Sequence, residues 1–142
     1  MTIVVPTQLR TAVQAVKYML GGRAFVTIIS NKTNKHFSYK ITVAPNNAQR
    51  HFVWVHTSHG YRFVGTLDKN GRKFFRSKKS IPREWLMYKA FLWAWRHVNS
   101  GYMPRSLCIY HENTCCRCGR KLIDPKSIRA GIGPECAKRV DW

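Results

Sequence analysis

The residues of this 142-residue chain best equipped for chemistry are sulfurs close to its C-terminus. Cys115-Cys116-Arg117-Cys118-Gly119-Arg120 is closed, eighteen residues beyond Cys118, by Gly131-Ile132-Gly133-Pro134-Glu135-Cys136. A Cys-x-x-Cys-Gly turn aims backbone N–H groups at two thiolates, and Gly119 supplies the positive φ that such a turn needs. Pro134 is pre-set for the first turn of a short helix, which places Cys136 where the helix dipole favours a thiolate. His111, four residues before Cys115, completes a tetrahedral Cys3His set, with water as the alternative fourth ligand. Zinc suits this set in a structural role, because it takes soft sulfur and imidazole and does no redox chemistry. The competing reading is a cluster of reduced, partly buried thiols. Cys116-Arg117-Cys118 is too tight for the usual turn, so Cys115 and Cys118 are the expected pair. Cys108, inside Leu107-Cys108-Ile109-Tyr110, reads as a core residue.

These residues also carry a likeness. His111, Cys115, Cys118, Gly119, Arg120 and Leu122, then Asp124, Pro125, Ser127 and Ile128, then Gly131, Ile132, Gly133, Pro134 and Cys136 form one ordered pattern over residues 111–137. The pattern resembles a small zinc-binding family of unknown function that is frequent in phages and prophages. The resemblance implies a structural zinc and a phage-type setting. It implies no activity.

The segments upstream must hold this site and supply whatever else the chain does. Twenty-five Lys and Arg against six Asp and Glu give a net charge of +19, far beyond what solubility needs, and point to a polyanionic partner. Residues 1–101 carry +15 of that charge and residues 102–142 carry +4, so the main electrostatic surface lies outside the cysteine segment. The expected organisation is a basic sheet-plus-helices domain over 1–105 and a zinc-binding module over 106–142. Clustered cysteines without a signal peptide argue for metal ligation in a reducing cytoplasm rather than for disulfides, and the phage-type resemblance implies that the cytoplasm is that of a bacterial host. No apolar run approaches the roughly 18 residues that span a membrane.

The expected fold class is α+β, with an antiparallel five-stranded sheet packed by two helices. Pro6 and Thr7 open a helix over 7–20 that Gly21 and Gly22 close, with Leu9, Val13, Val16 and Leu20 at helical spacing. Period-two segments at 23–29, 36–43, 50–56, 61–67 and 72–76 are separated by short turn-forming stretches, as in an antiparallel meander. Ser80 and Pro82 start a second helix to about Asn99. Trp85, Leu86, Tyr88, Phe91, Leu92, Trp93 and Trp95 make it apolar round most of its circumference, as for burial between the sheet and the zinc segment. Residues 106–110 then form a strand leading to the cysteines.

A meander covered by helices on one side leaves the other side wet. Tyr39, Phe52, Trp54, Tyr61 and Phe63 interleave with Lys40, Arg50 and Arg62, the composition with which sheets stack bases and meet phosphates. The bland alternative is that these rings are the core face. The densest basic run, Lys69, Arg72, Lys73, Arg76, Lys78, Lys79 and Arg83, puts seven cations and no acid in fifteen residues and is expected to contact phosphates. No phosphate loop, nucleophile elbow or zinc-protease helix is present. His51, His56 and His59 have no convergent carboxylate or nucleophile, and Glu112 directly after His111 does not fit the deaminase pattern. The chain therefore reads as a non-enzyme. Two partners are open: DNA or RNA gripped directly, or a host protein or nucleoprotein complex that a phage accessory protein would modulate.

Overall fold

Antiparallel pairing between consecutive β-rich segments builds most of the molecule. In a computed structural model, whose described residues are 5–140, the strands are β1 (Thr7–Leu9), β2 (Arg23–Ser30), β3 (His36–Ala44), β4 (Asn47–Thr57), β5 (Gly60–Asp68), β6 (Phe74–Phe75) and β7 (Leu107–His111). They form one seven-stranded sheet in the order β1-β7-β2-β3-β4-β5-β6, antiparallel at every pairing. The helices among the described residues are α1 (Ala12–Met19), α2 (Leu86–Asn99), α3 (Pro125–Ala130) and α4 (Pro134–Val140). The fold is α+β as expected, but the sheet has seven strands rather than five. Of the added two, β1 was expected to be helical. β7, which leads to the cysteines, is hydrogen-bonded inside the sheet between β1 and β2.

Residues 7–9 are strand because Thr11 is the better start for a helix. Its Oγ1 accepts the Gln14 N–H at 3.1 Å, and the three residues before Arg10 pair with Ile109, Tyr110 and His111. The late start changes which residues α1 buries. Ala12, Ala15, Tyr18 and Met19 face the core, and Val13 is 64% exposed. Similarly, α2 starts at Leu86 rather than at Pro82. Ser80 Oγ accepts from Ser77 N–H, and the Trp85 N–H bonds the Pro82 carbonyl, so residues 77–85 are turns. Tyr88, Phe91, Ala94, Trp95 and Val98 then form a single buried stripe, while Trp85 and Leu86 are exposed. The main partners of α2 are α1 and β2, not the cysteine segment.

Both helices cover one face of the sheet. That face carries Val26 and Ile28, Tyr39 and Ile41, Val53 and Val55, Val64 and Leu67, and Leu107 and Ile109, all buried. Tyr39 belongs here, not on the wet face: it is 1% exposed and its hydroxyl donates to the Met87 carbonyl of α2. A β-bulge lies between Val53 and Trp54. Val53 pairs with Gly65 and Trp54 with Phe63, so Val64 is the extra residue and can turn its side chain into the core. Gly65 must be glycine, because a Cβ there would run into the Phe74 ring.

His51 is buried on the helix-covered face, its Nε2 lying 3.2 Å from the Leu20 carbonyl oxygen. Burial lowers its pKa, with the Leu20 carbonyl and Asp68 opposing the shift. A depressed folded-state pKa means that the neutral ring stabilises the fold above the unfolded value of about 6.5, and that this contribution is lost as pH falls below it. Thermal melts at about pH 7.5 and about pH 5.5 should therefore show an acid loss that is smaller in His51→Gln than in the parent. Identical acid losses in the two proteins would contradict this assignment.

Candidate metal centre

The cysteine segment is a set of turns pinned by backbone hydrogen bonds. Beyond β7, the Leu122 N–H bonds the Asn113 carbonyl and the Cys115 N–H bonds the Arg120 carbonyl, each at 2.8 Å. Thr114 and Lys121 form an isolated bridge between them. Gly119, at φ 78°, lets the chain double back so that its own N–H reaches the Cys115 carbonyl at 2.9 Å. Asp124 caps α3 through the Ser127 N–H, and Gly131 ends α3 in the left-handed conformation at φ 76°. α4 then opens at Pro134 and carries Cys136 in its first turn.

This path brings the sulfurs of Cys115, Cys118 and Cys136 to within 4.8 Å of one another. A tetrahedral ion with metal–sulfur bonds of ~2.3 Å holds its sulfurs about 3.8 Å apart, so the three can hold a metal with little movement. Burial alone would push the Cys115 thiol up. Backbone N–H groups of Gly133, Cys118 and Arg117, together with the Cys118 thiol, instead bring it to about 7. The Gly133 N–H lies 3.5 Å from this sulfur, and Arg117 Nη1 lies 3.7 Å from that of Cys136. Cys118 is shifted upward, by burial first and then by its hydrogen bonds to Cys115 and Cys136. A cation replaces shared protons of this kind and favours the thiolate at all three positions.

The neighbouring candidates lie outside this group of three. Cys116 is fully buried; its N–H bonds the Gly131 carbonyl at 3.0 Å, and its carbonyl accepts the Arg23 N–H at 2.7 Å. A Cβ on Gly21 would come within 2.5 Å of its sulfur. Burial, and then the charge of Cys115, push its thiol up to about 12. His111 lies outside the three-sulfur group. It is fully buried on the helix-covered side of β7, stacked on Tyr18 at 4.7 Å, and its Nδ1 accepts the Asn113 N–H at 3.1 Å. Burial lowers its pKa, and the Ile128 backbone opposes that shift. Cys108 is not a core residue: it is half-buried, and its sulfur accepts from Asn31 Nδ2 at 3.3 Å.

The cationic and aromatic residues divide into separate surfaces. Register puts Lys40, Arg50, Phe52, Trp54, Tyr61 and Phe63 on the helix-free face of the sheet. Phe52, Trp54 and Phe63 touch edge to face, with centroids 5.2–6.4 Å apart. Lys40 Nζ lies 4.4 Å from the Tyr61 ring and 5.6 Å from that of Trp54. Arg62 is not part of this surface; it pairs with Val55, whose side chain is core, and its guanidinium lies 5.6 Å from the Trp85 ring. Lys69, Lys73, Lys78 and Lys79 are exposed around the β5–β6 turn and the loop after β6. Arg72, Arg76 and Arg83 line a cavity together with Arg96, which the sequence pattern did not single out because it lies in a helix dominated by aromatics. His51 and His56 point to opposite faces of β4, so no histidine cluster forms there.

Cys118→Ser should abolish stoichiometric metal in purified protein and release residues 112–140 to rapid hydrogen exchange, since metal binding and folding are coupled in so small a segment. Cys116→Ala should keep its metal and lose on the order of 1 kcal/mol of stability from the packing against Gly21. Elemental analysis and melts check both, and metal loss in Cys116→Ala with retention in Cys118→Ser would reverse the assignment.

Residues 109–141 match the model of a family described as a family of unknown function (DUF6011). That match covers the end of β7 and the whole cysteine segment and leaves most of the sheet outside it. No curated protein and no solved structure matches the chain.

Proposed function

We propose that the protein binds nucleic acid, preferring single strands, and that a structural zinc ion on Cys115, Cys118 and Cys136 staples its C-terminal segment. The observation that carries this reading is the helix-free sheet face, where Phe52, Trp54 and Phe63 lie beside Lys40 and Arg50. Rings stack on bases of any identity, and the adjacent cations meet the phosphates between them. The charge supports it as well. Among the described residues, none of the side-chain cations of Lys40, Arg50, Lys69, Arg72, Lys73, Arg76, Lys78, Lys79 and Arg83 has a carboxylate within 4.0 Å, although the Arg72 backbone N–H bonds Asp68; the ion pair that does form is Lys138 with Glu135. Uncompensated cations of this number favour a polyanion.

Zinc is the ion that three thiolates select without redox chemistry. The fourth ligand is water or His111, whose Nε2 is buried with no hydrogen-bond partner while its Nδ1 holds the Asn113 N–H. The sheet does the binding and the metal holds the fold. The resemblance over residues 111–137 adds a phage-type setting in a bacterial cytoplasm, with an accessory role that needs no catalysis.

A second reading rests on a different surface. An apolar groove of about 690 Å3 between α1 and the α3–α4 segment is lined by Val13, Ile132, Pro134 and Ala137, and suits a host protein within a nucleic-acid-handling or defence complex. Salt dependence separates the two readings, since phosphate contacts release counterions and an apolar groove does not.

Trp54→Ala should weaken single-stranded probes by ~1–3 kcal/mol and lower the melting temperature only by the loss of its edge-to-face contacts with Phe52 and Phe63, because its ring lies outside the core. A lower melting temperature with unaltered binding would return Trp54 to a packing role. Lys78→Glu combined with Lys79→Glu should weaken DNA and RNA probes alike and flatten the salt slope by roughly two. If that folded variant binds every probe as the parent does, the hairpin is a solvated surface and the protein-target reading takes precedence.

A further inference from the structure

Four arginines from separate parts of the chain line one cavity of about 560 Å3 at the β6 edge of the sheet. Arg72 and Arg76 flank β6, Arg83 precedes α2, and Arg96 sits in the last turn of α2. The cavity floor includes Tyr88 and Trp95, which are 5% and 3% exposed, so it is closed from behind by the core. Trp95 Nε1 donates to the Gly71 carbonyl at 2.7 Å and ties the β5–β6 turn to this floor. Arg76 is held in place: its Nη2 donates to the Ile81 carbonyl at 2.8 Å, and its guanidinium lies 5.3 Å from the Tyr88 ring. Its Nε is buried with no hydrogen-bond partner. Among the described residues no carboxylate lies within 4.0 Å of any of the four guanidinium groups.

Cations gathered in a cleft with low-dielectric walls focus field on an anion, and guanidinium forks recognise tetrahedral oxyanions two oxygens at a time. We propose that this cavity receives the terminal phosphomonoester of a nucleic-acid strand. A phosphomonoester carries about −1.5 to −2 at neutral pH and presents three oxygens, more than a backbone diester offers to four cations. A closed floor also admits a chain end, while a strand that continues past it would lie along the surface. Phe75 connects the two surfaces, since it lines the cavity and its ring lies 4.6 Å from the Arg50 guanidinium on the open sheet face. A strand laid across Trp54 and Phe52 therefore runs toward the arginines. The assignment rests on the nucleic-acid reading of the sheet face and adds to it a fixed end and a polarity.

The test uses full-length protein and one short oligonucleotide made with a 5′-phosphate, with a 3′-phosphate, or with hydroxyls at both ends. Fluorescence anisotropy should show one phosphorylated form binding about tenfold more tightly than the hydroxyl form, the equivalent of one charge-assisted hydrogen bond. Arg96→Gln, exposed and outside the basic run assigned to backbone phosphates, should diminish that increment and leave binding of the hydroxyl form unchanged. Equal affinity of all three oligonucleotides overturns the proposal and leaves the sheet-face reading standing. Failure of all three to bind overturns both. A free nucleoside monophosphate that binds as tightly as the phosphorylated strand overturns the strand-end assignment, because the cavity is then a nucleotide site. The three-probe comparison decides the matter on the parent protein even if the Arg96 variant does not fold.

Discussion

The rest of the structure depends on the close approach of Cys116 to Gly21. At that point the C-terminal turns meet the junction between α1 and β2 with no room for a further carbon atom. The contact is reinforced on both sides, by the Arg23 N–H on the Cys116 carbonyl and by the Tyr18 hydroxyl donating to the Thr114 carbonyl at 2.8 Å. Tyr18 also stacks on His111 and packs over Gly131, where a side chain would strike its ring. A segment of about 30 residues cannot bury enough apolar surface to fold alone. It borrows the end of α1 as its core, and the three sulfurs converge because their backbone is seated there.

Much of this was legible in the sequence, for reasons that differ by residue. Cys115, Cys118 and Cys136 could be read because ligand spacing is a local property of a turn and a helix start, and the structure gathers those three. His111 stands outside that group, and its stacking on Tyr18, ninety-three residues away in the chain, is a contact that ligand spacing does not show. The meander was visible in its period-two alternation and turn residues. β1 was hidden because three residues are too few to show a period, and its pairing partner lies at the far end of the sequence. Tyr39 looked like its neighbours in composition, and only the register of β3 against β4 separates it from Trp54. The convergence of Arg72, Arg76, Arg83 and Arg96 is likewise tertiary.

The one-sided covering of the sheet organises the chemistry of the molecule. Small and branched residues fill the face beneath α1 and α2, and the opposite face is left with rings that shield one another edge to face and with cations resting over them. The bulge makes both outcomes possible on β5, because it lets Val64 and Leu67, three residues apart, both face the core while Phe63 faces outward. A regular strand would have to send one of them to the wrong side.

The position of β7 between β1 and β2 has a consequence for how the chain matures. The β2–β5 hairpins rely on contacts close in sequence and can form while the ribosome is still at work, as local pairing is fast. The central edge of β2 must wait, unpaired, until Leu107–His111 emerges some eighty residues later. When that strand slots in, it brings β1 home and in the same step carries the cysteine turns to the α1 end. The three sulfurs are therefore gathered only once β7 is in place, so the metal centre they could form assembles after the sheet that seats it.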